Sequence, residues 1–143
     1  MTTMDPGGSP QWKPRLSHLM LRVKDLDRSL HFYTQLLGMH VLRRTDYPEG
    51  KFTNTFIAYG PEDAFPAIEL THNWDRDKPY LHGDGYGHFA IDVEDVYGFC
   101  EHLAKAGVTI VRPAGPMKHG TRVLAFVEDP DGYKVEIAQP YRG

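Results

Sequence analysis

Two runs decide the fold of this chain: Ser17-His18-Leu19-Met20-Leu21-Arg22-Val23 and Gly87-His88-Phe89-Ala90-Ile91-Asp92-Val93. Each run carries a histidine at its second position and continues as a short apolar segment, which is typical of a strand. The shift of 70 residues that superimposes the two histidines also superimposes Asp25 on Asp95. The pattern therefore predicts an internal repeat, with one structural unit in each half of the chain.

Each half continues in the same order after its aspartate. An amphipathic stretch follows with apolar residues at helical spacing, and it ends near Gly38 in the first half and Gly107 in the second. Asp25 and Asp95 are suitable helix N-caps, and the two glycines suit the left-handed position that ends a helix. Three β-rich runs separated by turn sequences follow in each half. These runs are residues 39–45, 52–59 and 66–71, and residues 108–112, 122–128 and 134–138.

This order predicts an α+β fold of two tandem βαβββ modules that form a cupped mixed sheet. We expect residues 1–14, rich in Pro, Gly and Ser, to be a disordered N-terminal lead-in. Residues 15–143 would form a single domain, with module one at 15–72, a link at 73–85 and module two at 86–139. In each module the helix covers one face of the sheet and leaves the other face available to ligands.

Each half also carries a glutamate between apolar neighbours, in Ala67-Ile68-Glu69-Leu70 and Lys134-Val135-Glu136-Ile137. A carboxylate in such a strand is costly to bury unless it is paired or bound to a metal. Corresponding residues of the two modules converge near a pseudo-twofold axis, which predicts one metal centre from His18, Glu69, His88 and Glu136. One module supplies only two of these ligands, so modules must pair, either within one chain or between two chains.

The donor set favours a particular kind of metal ion. Two imidazoles and two carboxylates, with room for two waters, suit a six-coordinate borderline divalent ion better than a closed tetrahedral zinc site.

Composition excludes several classes of function. The formal net charge of −3 provides no basic surface for nucleic acid and no polybasic membrane anchor. No run approaches the ~20 apolar residues that a membrane span requires. The single cysteine, Cys100, forms no internal disulfide and fits a reducing compartment, so we expect a cytoplasmic protein without nucleic acid or membrane partners.

An ordered set of motifs over about residues 16–137 resembles the glyoxalase I (lactoylglutathione lyase) family of the vicinal oxygen chelate superfamily, in its compact bacterial form. The motifs are His18-Leu19-Met20-Leu21-Arg22-Val23, Phe32-Tyr33-Thr34, Leu37-Gly38-Met39, Ile68-Glu69-Leu70-Thr71-His72-Asn73-Trp74, Tyr86-Gly87-His88 and the run from Ala125 to Glu136.

The resemblance implies a metal-dependent isomerisation of the methylglyoxal–glutathione hemithioacetal to S-D-lactoylglutathione, which detoxifies methylglyoxal. Such an enzyme removes a proton from the carbon next to a carbonyl, and a divalent cation stabilises the resulting enediolate. Family precedent makes the last ligand, Glu136, the base, with Glu69 serving the opposite substrate hand or the second transfer. The bacterial form implies Ni²⁺ or Co²⁺, with Zn²⁺ as the other option, and a homodimer with its sites at the interface.

Four further residues match the family's contacts to its co-substrate glutathione. Arg22 and Asn73 match the residues that hold the γ-glutamyl end, where a guanidinium and an amide suit a carboxylate and an ammonium. Arg112 and Lys118 fall where basic residues meet the glycyl carboxylate. Asp84, four residues before His88, departs from relatives that carry an arginine there.

Three other functions remain to be weighed. A dioxygenase or thiol transferase of the same superfamily uses two histidines and one carboxylate, and so does not explain the second glutamate. A non-catalytic small-molecule-binding module would need no metal ligands. A structural metal site would not explain the polar residues predicted around the ligands.

Overall fold

The computed structural model describes residues 11–142 and shows two βαβββ modules, which confirms the predicted fold class. Residues 1–10, most of the predicted lead-in, lie outside the described residues. In this part of the chain no helix has the length and apolar content needed to cross a membrane. The elements are β1 His18–Arg22, α1 Leu26–Leu30 with its π-helical continuation His31–Leu36, β2 His40–Tyr47, β3 Phe52–Ala58, β4 Ala67–Asn73, β5 Phe89–Asp92, α2 Val96–Lys105, β6 Ile110–Pro116, β7 Val123–Glu128 and β8 Lys134–Ala138.

Each module contains one four-stranded mixed sheet. The strand orders are β1-β4-β3-β2 and β5-β8-β7-β6, which are the same order repeated. The pairs β1–β4 and β5–β8 are parallel, and the remaining neighbours are antiparallel. No backbone ladder joins the two sheets within residues 11–142, so the sheet surface of one chain consists of two units of four strands.

The helix ends follow the predicted capping. The carboxylate of Asp25 accepts from the Arg28 N–H at 3.1 Å, and that of Asp95 accepts from the Gly98 N–H at 2.9 Å. Gly38 and Gly107 have φ of +85° and +87°, the left-handed conformation that ends a helix.

The first helix departs from a regular α-helix in its second half. Residues His31–Leu36 are π-helical, which the apolar spacing did not predict. The Thr34 hydroxyl donates to the Leu30 carbonyl at 2.6 Å, inside the same segment. Such a side-chain bond competes with the backbone ladder for the carbonyl, which gives a local reason for the altered winding.

The two modules share one hydrophobic core, to which both helices and both sheets contribute. The turn of residues 129–133 in module two packs against module one, and we call this packing the inter-module contact. In it the Tyr33 hydroxyl donates to Asp129 Oδ2 at 2.7 Å, and the Tyr133 hydroxyl donates to the Arg22 carbonyl at 2.9 Å. Asp131 accepts from the Lys24 N–H at 2.9 Å.

Asp129 is the buried polar centre of that contact, with 5% of its surface exposed. Besides Tyr33, it accepts from the backbone N–H groups of Asp131 and Tyr133. Burial raises the pKa of its carboxyl from 3.8 to about 6, although these hydrogen bonds act in the opposite direction. Burial, together with the charge of Asp129, raises the pKa of Tyr33 well above its usual value.

Candidate active site

Strand alternation in module one places His18 and Glu69 on the sheet face opposite the helix. Leu21 on β1 and Leu70 on β4 are buried in the core beneath the helix. Because successive side chains of a strand point to opposite faces, His18, three residues before Leu21, and Glu69, next to Leu70, point away from the helix. Glu69 lies opposite Met20 in the parallel pairing, one strand away from His18 and displaced along β4 by two residues. His18 is exposed and Glu69 half-buried, so both can be reached from outside the module.

Module two carries the corresponding pair. His88 directly precedes β5, and Glu136 lies opposite Ala90 in the β5–β8 pairing. The Nε2 atom of His88 lies 2.9 Å from a carboxylate oxygen of Glu136, so the two side chains are in direct contact. The imidazole and the carboxylate are thus held side by side on the open face of the second sheet.

An aromatic ring supports the histidine of each pair. Phe56 on β3 is opposite Glu69 and contacts the His18 ring edge to face, with 5.1 Å between centroids. Phe126 on β7 is opposite Glu136 and contacts His88 in the same manner at 4.9 Å. Neither ring was predicted from the sequence, although the shift of 70 residues that relates the histidines also relates these phenylalanines.

The two pairs do not meet within one chain. Among residues 11–142, no group of three or more His, Cys, Asp or Glu side chains is close enough to hold a metal ion. Each open face therefore presents half of the predicted donor set. One imidazole and one carboxylate from each half make up the nitrogen and oxygen donors that a borderline divalent ion prefers, so the residues present fit such an ion as two half-sites.

Arg22 and Asn73 are brought together at the ends of β1 and β4. They line a pocket of about 550 Å³ together with Lys51, Arg76 and Tyr80. Arg22 follows His18 by four residues on β1, and Asn73 follows Glu69 by four residues on β4, so this pocket lies on the same face as the ligand pair. Arg22 and Asn73 were predicted to hold the same end of the ligand, whereas Tyr80 was not predicted.

Arg112 and Lys118 occupy different environments in the 110–120 region. The Arg112 guanidinium donates to the backbone carbonyls of Pro113, Gly115, Pro116 and Leu124 at 2.8 to 3.2 Å. These bonds hold the irregular segment of β6, whose pairing with β7 shifts on either side of Arg112. Lys118 is exposed in the turn that follows β6.

The crevice between the two modules lies away from these residues. It measures about 520 Å³ and lies between the first helix, the end of α2 and the 128–132 turn. None of the four predicted metal ligands lines it.

The similarity of this chain to known proteins extends over nearly its whole length. The family model described as Glyoxalase/Bleomycin resistance protein/Dioxygenase superfamily matches residues 15–137. A lactoylglutathione lyase of Neisseria meningitidis is 56% identical over 129 residues, which cover 90% of this chain and 93% of the relative. The solved structure of Leishmania major glyoxalase I, described as trypanothione-dependent, is 45% identical with a TM-score of 0.79 over 89% of this chain and 87% of that one.

Maize glyoxalase I is the second solved structure of note. It is 46% identical with a TM-score of 0.85, and the match covers 90% of this chain. This chain spans 45% of the length of the maize chain. These similarities, which agree with the two His–Glu half-sites, show that the chain belongs to the glyoxalase I (lactoylglutathione lyase) family of the Glyoxalase/Bleomycin resistance protein/Dioxygenase superfamily.

Proposed function

We propose that this chain isomerises the hemithioacetal of methylglyoxal and glutathione to S-D-lactoylglutathione. The observation that carries the proposal is the repeated half-site, a histidine beside a glutamate on the open face of each sheet with a phenylalanine behind it. A dioxygenase or a thiol transferase with one carboxylate ligand does not require the second glutamate.

Glu136 is the proposed base. It takes the proton from the hemithioacetal carbon and returns it to the neighbouring carbon, the former carbonyl carbon, so that the substrate is isomerised without net loss of atoms. The close approach of His88 and the position of Phe126 opposite Glu136 in the β7–β8 pairing restrict where the Glu136 carboxylate can lie. Glu69, its counterpart in module one, is proposed to serve the opposite substrate hand or the second proton transfer.

The four side chains His18, Glu69, His88 and Glu136 are proposed to hold one divalent cation. A cation there stabilises the negative charge that develops on the substrate oxygens during proton removal. We favour nickel or cobalt over zinc, because two imidazoles and two carboxylates leave positions for two further oxygens in a six-coordinate site.

The reaction and the metal are tested together on metal-free protein. We expect turnover of the hemithioacetal to return on addition of Ni²⁺ or Co²⁺ and to be much weaker with Zn²⁺. In the variant Glu136→Gln turnover should fall by a factor on the order of 10² or more, since the base is lost. Glu101→Gln, which changes an exposed carboxylate on α2, is the matched control. Stoichiometric metal binding without turnover would refute the proposed reaction.

We further propose that two chains assemble the site, each supplying one half-site to each centre. The half-sites of one chain do not converge among the described residues, and both histidines are exposed. Apolar side chains lie exposed beside the first half-site, with Leu19 and Met20 each 36% exposed on β1 and Leu16 69% exposed before it. An exposed apolar group of this kind favours contact with another protein surface, here a second copy of the chain.

Mixing two inactive variants tests this assembly. A chain with His18→Ala and a chain with Glu136→Gln each lack a ligand in both sites of their homodimers. If sites form between module one of one chain and module two of the other, half of the randomly mixed dimers carry one intact site. Activity should then return to about a quarter of that of the unmodified protein. No recovery after unfolding and joint refolding would show that each site is built within one chain.

The remaining proposals concern substrate and location. Arg22 and Asn73 are proposed to hold the γ-glutamyl end of glutathione, and Lys118 its glycyl carboxylate. Arg112 is proposed to support that second contact through the segment it braces, since its donors already bind backbone carbonyls. A chain with one cysteine fits the cytoplasm, which we propose as its location.

A further inference from the structure

A residue of the link after β4 holds the side chain of Asn73, which lines a pocket together with Arg22. The side-chain amide of Asn73 donates from Nδ2 to the Tyr80 hydroxyl at 2.9 Å, and both residues are half-buried. This bond uses one of the two N–H groups of the amide and fixes its orientation, so the carbonyl oxygen of Asn73 is the acceptor that remains for a ligand. Tyr80 therefore determines which end of the amide faces the pocket.

Arg76 in turn holds the ring of Tyr80. Its guanidinium lies 4.4 Å from the centre of that ring. The same guanidinium donates to the carbonyls of Lys78 and Pro79, both at 2.9 Å. Because these contacts fix the guanidinium within its own loop, Arg76 acts as a platform for Tyr80 rather than as a cation free to bind a ligand.

Of the other two cations that line the pocket, one is paired with another of the described residues and one is not. The Lys51 ammonium is paired with Asp75 at 3.2 Å. Within residues 11–142 the Arg22 guanidinium has neither a hydrogen-bond acceptor nor an ion-pair partner, so it is the cation available to a ligand. A free guanidinium beside a carbonyl oxygen complements the carboxylate and the ammonium of an amino-acid end group.

The distance along the strands fits a ligand that also reaches the metal ligands. Four residues of strand separate His18 from Arg22 and Glu69 from Asn73, which corresponds to about 13 Å. An extended chain from the hemithioacetal oxygens to the γ-glutamyl carboxylate covers roughly 12 Å. The pocket therefore lies where the γ-glutamyl end of the substrate would come to rest.

We propose that Tyr80 is a positioning residue that makes the enzyme selective for thiols with a γ-glutamyl end. It acts through Asn73, whose amide it orients so that the carbonyl oxygen accepts from the ligand ammonium, and Arg76 fixes Tyr80 for this purpose. The proposal rests on the proposed function above, and it concerns recognition rather than proton transfer.

The variant Tyr80→Phe tests this role, because it removes the hydroxyl and keeps the ring over Arg76. We expect KM for the glutathione hemithioacetal to rise about five- to twentyfold with kcat changed less than about twofold, as for the loss of one oriented hydrogen bond. Calorimetric binding of S-hexylglutathione should weaken by the same factor. The hemithioacetal of N-acetylcysteinylglycine, which lacks the γ-glutamyl group and has no free amine to form a thiazolidine, should show no change in KM.

Two further variants sharpen the test. Tyr97→Phe removes the hydroxyl of an exposed tyrosine on α2 and should leave every parameter unchanged. Arg76→Lys removes the planar platform while keeping the charge, and should raise KM for glutathione alone by a smaller factor.

The outcomes separate this proposal from the proposed function. An unchanged KM in Tyr80→Phe, or an equal rise for both thiols, overturns the positioning role while turnover by the unmodified protein still supports the reaction. If the unmodified protein turns over no hemithioacetal with any metal, the proposed reaction is wrong. The positioning role of Tyr80 is then tested by S-hexylglutathione binding alone. Weaker binding by Tyr80→Phe supports the positioning role, and equal binding overturns it.

Discussion

Replacing Asp129 by asparagine should make the protein more stable at neutral pH and change how its stability depends on pH. The carboxyl is buried, and its pKa is raised from 3.8 to about 6. Between these two values the folded protein holds a proton that the unfolded chain releases. The contribution of Asp129 to stability is therefore fully present below pH 3.8 and is lost as the pH rises through about 6.

The size of the effect follows from the pKa difference. A shift of about two units corresponds to about 3 kcal/mol between the two ends of this pH range. Asparagine remains neutral and can keep the local bonds: its carbonyl oxygen can accept from the backbone N–H groups of Asp131 and Tyr133, as Oδ1 of Asp129 does. Its amide can donate to the Tyr33 oxygen, which then acts as acceptor instead of donor.

The measurement is urea unfolding of metal-free Asp129→Asn and unmodified protein at one protein concentration, from pH 4 to pH 7.5. We expect equal free energies of unfolding near pH 4, where the buried carboxyl is protonated. The variant should gain up to about 3 kcal/mol over the unmodified protein by pH 7.5, or about 10 °C in Tm. Asp77→Asn removes an exposed carboxylate in the link and should follow the unmodified protein. Parallel pH curves for Asp129→Asn and the unmodified protein would refute the reasoning.

Five other substitutions have expected outcomes. Tyr33→Phe removes the hydroxyl that donates to buried Asp129, and it should lower the free energy of unfolding in urea by roughly 1–3 kcal/mol at pH 7.5. The loss should be smaller at pH 4, and an equal loss at both pH values would contradict this prediction. Gly38→Ala and Gly107→Ala should each lower the free energy of unfolding by about 1–2 kcal/mol, because both glycines have left-handed φ. The added methyl group meets no close neighbour, so the cost comes from the backbone conformation. An unchanged Tm would show that the helix ends relax. Arg112→Lys loses the planar guanidinium that donates to four carbonyls, and it should lower the free energy of unfolding in urea by roughly 1–3 kcal/mol. Lys118→Gln should instead raise KM for the glutathione hemithioacetal and leave urea unfolding unchanged.

The features that the sequence predicted are those that local pattern or repetition encodes. Asp25 and Asp95 cap the helices as expected, and Gly38 and Gly107 end them. The repeat also predicted the order of elements along each module, a strand, a helix and three strands, and both modules have that order. The same repeat contained a signal for Phe56, since its counterpart lies at the same shift as the histidines.

The features that escaped prediction depend on contacts between distant parts of the chain. The residues between the predicted runs 122–128 and 134–138 were expected to form a turn, and only the packing of module two on Tyr33 shows that this turn holds a buried carboxyl, that of Asp129. Tyr80 lies in a link without periodicity, so no pattern relates it to Asn73 at the end of β4. Arg112 has the expected position, but its bonds to four carbonyls arise from the irregular course of β6.

The inter-module contact gives module two a second role if the proposed assembly between chains is correct. Tyr133 binds the carbonyl of Arg22, and Asp131 binds the N–H of Lys24, so the end of β1 is held by module two of the same chain. Glu136 lies on β8, only three residues after Tyr133, on a sheet that would supply ligands to the partner chain. The same segment would thus orient the proposed γ-glutamyl pocket of its own chain and complete the metal centre with the other. Tyr133→Phe, which removes the hydroxyl that binds the Arg22 carbonyl, should therefore raise KM for glutathione as well as lower stability, because it loosens the backbone that carries Arg22.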